Sequence, residues 1–69
     1  MFVLGYKADS QSTFFLKNDG AWCKNASISE VKVFTNKYFA TEQVNNINKH
    51  GKILSFVIPY NDYLKSVWH

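Results

Sequence analysis

Sixty-nine residues with a formal net charge of +3 make one small domain, with no room for a second. A chain this short buries only about 60% of the surface its unfolded form exposes. Its single cysteine excludes an internal disulfide, and one cysteine with two histidines is too few for a structural zinc site. Stability must then come from its twelve aromatic side chains (six Phe, four Tyr, two Trp) or from self-association.

All the basic residues are lysines, and there is no arginine. Arginine's planar fork gives bidentate recognition of phosphate and guanine, whereas lysine is a flexible point charge. A dedicated sequence-reading nucleic-acid binder is therefore disfavoured. Abundant Lys, Asn, Phe and Tyr without Arg matches translation of an AT-rich genome. The apolar run in MFVLGYK is too short for a signal peptide, and no segment approaches the roughly 20 apolar residues of a membrane span. Asn25-Ala26-Ser27 fits a glycosylation sequon without a secretory context, and the unpaired cysteine suits a reducing compartment. The expected location is the cytoplasm.

In chain order, Phe2 to Lys7 reads as a strand, with Phe2, Leu4 and Tyr6 on one face. A polar connection at 8–12 leads to a second strand at Thr13 to Lys17, making an antiparallel hairpin. Asn18-Asp19-Gly20 is the strongest turn signal, because Asp-Gly favours positive φ. Ala21 to Lys24 returns as a short third strand. Residues 25–30 read as a loop with a turn initiated at Ser27. The β-branched Val31-Lys32-Val33-Phe34 reads as a short strand or edge segment.

Phe34 to Gly51 holds the one substantial helix. Thr35 suits the N-cap, and Phe34 and Phe39 have the spacing of a hydrophobic staple. Ala40, Val44 and Ile47 form an apolar stripe, with Glu42, Asn45, Asn46 and Lys49 opposite. Lys49 and His50 suit the last turn, and Gly51 suits a left-handed helix stop. Ile53 to Ile58 is the most hydrophobic run and lacks clean alternation, as a central strand would. Pro59 ends it. Asn61 can cap a final helical turn with Leu64, Val67 and Trp68 on one face, which must dock on its own sheet or on a partner. The fold class is α+β, a small two-layer sandwich of three to four antiparallel strands with one main helix and a short C-terminal helical turn. The helix stripe should bury against Leu54, Phe56 or Ile58. If the sheet's other face is open, it is an interface.

No constellation reads as an active site. Cys23 with His50 could form a thiol–base pair, but each has a local structural role, as do Asp9, Asp19, Glu30, Glu42 and Asp62. Three glycines without a phosphate-loop pattern exclude the common nucleotide fingerprints. The expectation is a protein that is not an enzyme and takes no cofactor or metal. The lysines are spread along the chain as a solvated rim would be. A binding patch would instead interleave them with aromatic platforms, which makes Tyr38, Lys49, Tyr60, Tyr63, Lys65 and Trp68 the candidate surface. The helical wheel sets Tyr38 and Lys49 on the side away from the stripe.

The succession FFLKNDGAWC, ISEVKVFTNKYFATEQV and FVIPY resembles the pattern of small uncharacterised bacteriophage proteins from low-GC bacteria: a hairpin ending in Gly-x-Trp, a segment leading to a Phe and a helix, and a closing strand. The C-terminal NDYLKSVWH departs from that pattern. The resemblance implies a phage accessory protein acting in the host cytoplasm, one that binds and disables a host protein or defence component. From another class, a small basic binder could sequester an anionic signalling nucleotide or nucleic acid through lysines and tyrosines. A closed homodimer is expected by general tendency, through an aromatic sheet face or through the tail.

Overall fold

The computed structural model describes residues 1–9, 12–24, 26–51 and 53–67, with the side chains of 66 and 67 left aside. Strand β1 (Phe2–Lys7) lies between β2 (Thr13–Leu16) and β4 (Ser55–Pro59), and β3 (Trp22–Cys23) flanks β2. The order is β3-β2-β1-β4 and every pairing is antiparallel. Helix α1 (Lys37–His50) enters β4 through a short connection, and α2 (Tyr60–Val67) follows β4 at once.

Period-two alternation divides the strands' side chains between two cores. On one face Leu4 and Leu16 pack with Ala40 and Val44 of α1, joined by Phe2, Trp22, Phe34, Ile47 and Val57. On the other, Val3 and Phe15 pack with Tyr63 of α2 and with Ala26 and Val31, joined by Cys23, Val33, Ile58, Tyr60 and Leu64. The second face is thus covered by α2 and by the segment at 26–33, and it is not an open aromatic surface. Between β1 and β4 there is room for this packing because residue 5 is glycine: a Cβ there would meet Ile58 Cδ1 at 2.6 Å.

The β2–β3 turn follows its sequence. Gly20 has φ 89, its N–H donates to Lys17 C=O (3.0 Å), and Asp19 Oδ1 accepts from the Ala21 N–H (2.9 Å). At Ser27 a turn forms, its C=O accepting from the N–H groups of Glu30 and Val31. The chain then bridges Val31 to Lys17 and Phe34 to Phe2, running from the end of β2 to the start of β1. Lys17 Nζ lies 3.2 Å from Glu30 and 3.8 Å from Asp19, tying the turn to this segment. Those two carboxylates raise the Lys17 pKa, the Glu30 hydrogen bond most of all.

Several local expectations are corrected. The N-cap of α1 is Asn36, one residue beyond Thr35; its Oδ1 accepts from the Tyr38 N–H at 2.7 Å. With the cap moved, Phe39 leaves the staple position and stands exposed, while Phe34 joins the core. Gly51 is extended (φ −113, ψ 174) and its N–H donates to Ile47 C=O at 2.8 Å. Glycine suits it because a Cβ would sit 2.9 Å from that carbonyl oxygen, so close approach, not a left-handed turn, is the reason. The last strand is an edge strand rather than a central one, and the α1 stripe meets Leu4, Leu16 and Val57. Leu54 is 81% exposed, Phe56 stands on the outer part of the sheet, and Ile58 faces α2. Without clean alternation in ILSFVI, the sequence could not assign those faces. α2 begins at Tyr60, directly after the proline, so Asn61 lies inside it and does not cap it.

Candidate functional site

Of the six residues proposed as a binding surface, the five described ones are spread over two helices, and only Tyr60 and Tyr63 bring their rings together, 5.9 Å apart. Tyr38 is 65% exposed in the first turn of α1, and its ring meets Phe39, 58% exposed, edge to face at 5.6 Å. Lys49 is exposed in the last turn of the same helix, roughly 16 Å further along its axis. Tyr60 is half-buried and packs against the second core, and Lys65 is exposed near the end of α2. Trp68 lies outside the described residues, as do Asn25 of the sequon and Lys52.

Tyr63 requires the clearest correction. It is fully buried, its ring edge-on to Phe15 at 5.0 Å, and its hydroxyl donates to the Ala26 C=O at 2.9 Å. Burial pushes its pKa up, with the neighbouring Tyr60 adding to the shift. Tyrosine suits this position because it fills a core with its ring and answers a buried carbonyl with its tip. It is a structural anchor and offers no ring to a ligand.

The residues weighed for catalysis are dispersed as well. Cys23 packs toward the α2 side of the sheet, whereas His50 ends the helix on the opposite side. Among the described residues no three His, Cys, Asp or Glu side chains form a metal-binding group, and no helix is long and apolar enough to cross a membrane. A shallow depression of about 270 Å³ is lined by Met1, Phe2, Pro59, Tyr60 and Asn61, without an acid, imidazole or thiol in its wall.

Three junctions of the chain lie at one end of the sheet. Phe2 exchanges backbone hydrogen bonds with Phe34 (2.7 Å each), so α1 starts beside the start of β1. Tyr60 N–H donates to Met1 C=O at 2.8 Å, which brings the β4–α2 junction to the same end. Met1, Tyr38 and Phe39 are each more than half exposed. Lys37, next to Tyr38 in the chain, is exposed too, and Lys32 places its ammonium 5.3 Å from the centre of the Phe34 ring. Phe39 is the member that sequence reasoning missed, because it was assigned to the staple; moving the cap to Asn36 would have freed it. The chain matches no known protein family, no curated protein and no solved structure.

Proposed function

We propose that this is a non-enzymatic binding protein, a phage-encoded modulator that acts in the host cytoplasm by occupying a surface of a host protein. The observation that carries the reading is the Tyr38–Phe39 pair: two aromatic rings held in mutual contact and exposed to solvent, on a helix turn fixed by the Asn36 cap. Large aromatics held in place on a rigid element are the side chains that dominate protein interfaces, because they bury much area at little cost in conformational freedom. Met1, at the start of β1, is a further exposed apolar side chain. The lysines support a phosphate-directed surface less well, since Lys7, Lys24, Lys37, Lys49 and Lys65 stand on separate parts of the fold. The two elements that suggested a homodimer, the second sheet face and the tail, are covered within one chain as far as Leu64.

Capture from a lysate of a low-GC bacterium tests this, with the full chain and its Tyr38→Ser/Phe39→Ser variant immobilised side by side. Both side chains are exposed, so the variant should keep its stability within about 0.5 kcal/mol. The expected result is a protein retained by the parent at low and high salt and lost by the variant. Equal retention by both overturns the reading. So does recovery of only an anionic nucleotide, released steeply as salt rises.

A further inference from the structure

An edge strand presents a row of outward N–H and C=O groups on which another chain can pair. In β4 that row is short, and its groups can be assigned. Phe2 directs its backbone groups to Phe34, so by antiparallel alternation Val3 and Gly5 direct theirs to β4, where they face Ile58 and Phe56. At Ser55, Val57 and Pro59 the alternation turns outward, although the Pro59 C=O is taken up by α2, whose first helical hydrogen bond it accepts.

Two of those three positions are closed. Pro59 has no N–H to give. Ser55 is held by Asn48 of α1, whose Oδ1 accepts from the Ser55 N–H at 2.7 Å while its Nδ2 donates to the Ser55 C=O at 3.2 Å. The Ser55 hydroxyl also donates to that Oδ1, at 2.9 Å. A primary amide carries a donor and an acceptor side by side, as a peptide group does, so it can satisfy both backbone groups of one strand residue. Aspartate could not donate, and leucine could do neither.

We infer that Asn48 stands in for a fifth strand, and that this clamp keeps β4 from pairing with the β4 of a second copy. The edge is otherwise suited to its own copy. A two-fold axis at Phe56 would set each Ser55 opposite the other copy's Val57, with two hydrogen bonds in each of the two pairs. All four use the Ser55 N–H or C=O, so none forms until Asn48 has released them. With the clamp in place, only a pairing of Val57 with its own counterpart remains, too little to hold two chains together.

The test uses the full chain, Asn48→Ala, and Asn48→Leu, which retains packing volume should the alanine variant not fold. Hydrogen exchange on the parent should show a protected Ser55 amide and a fast Val57 amide. In sedimentation, the variants should gain a species of twice the parent's mass, by β4 pairing, as concentration rises. Their Val57 amide should slow over the same range. A folded variant whose mass and Val57 exchange match the parent's overturns the inference. A parent whose Ser55 amide exchanges as fast as Val57 overturns it without any variant.

Discussion

Tyr63 shows how much one side chain can hold in a domain of this size. Its hydroxyl joins α2 to a carbonyl 37 residues earlier in the chain, inside the second core. Tyr63→Phe keeps the ring but leaves the buried Ala26 carbonyl without this donor, which should cost about 1–3 kcal/mol in urea unfolding. The raised pKa sets the direction of the pH dependence. The folded state holds the phenolic proton more tightly than an unfolded chain, whose tyrosine ionises near 10. Stability from this group is therefore intact below pH 10 and lost as pH rises toward and through the folded value. Lys17 acts in the same range and direction, because its raised pKa marks a contribution complete below the unfolded lysine value and lost above it. Unfolding free energy should fall above about pH 10, and Tyr63→Phe should flatten that fall. A parent with constant stability across this range would remove the argument.

At the scale of elements, α1 is held by a narrow stripe. Ala40 and Val44 are buried, and Ile47 is half-buried against the same core. Ile47→Ala should destabilise by about 2 kcal/mol, the lower end of the range for such truncations, because part of the side chain already meets water. Thermal unfolding measures it, and an unchanged melting temperature would detach the helix from the first core. Much of this element was legible in the sequence, since 3.6-residue periodicity selects Ala40, Val44 and Ile47 whatever they pack against. The partner was not, because a strand's facing depends on register and ILSFVI reads apolar in either setting. The cap shifted by one residue because Thr35 and Asn36 are both good capping residues. For the candidate site, Tyr38 was legible as exposed from the same periodicity. Tyr63 was not, because its burial depends on a carbonyl that only tertiary folding brings near.

For the whole molecule, one sheet serves two cores, and neither is large. The first is closed by α1. The second is closed by α2 and by the segment around Ala26 and Val31. An eight-residue helix has little stability alone in water, so α2 and the second core must form together. Without α2, Val3, Phe15 and Ile58 would lie under a partly open face, an apolar surface on a domain with little stability to spare. That closure is also what leaves the Tyr38–Phe39 end as the prominent exposed aromatic surface among the described residues. Unfolding of the full chain and of a chain ending at Tyr60 tests the closure most directly, followed by near-ultraviolet circular dichroism during heating. The full chain should lose its aromatic signal in one cooperative transition, and the shortened chain should show no such transition. A chain ending at Tyr60 that melts cooperatively at the parent's temperature would contradict the two-core structure of this fold.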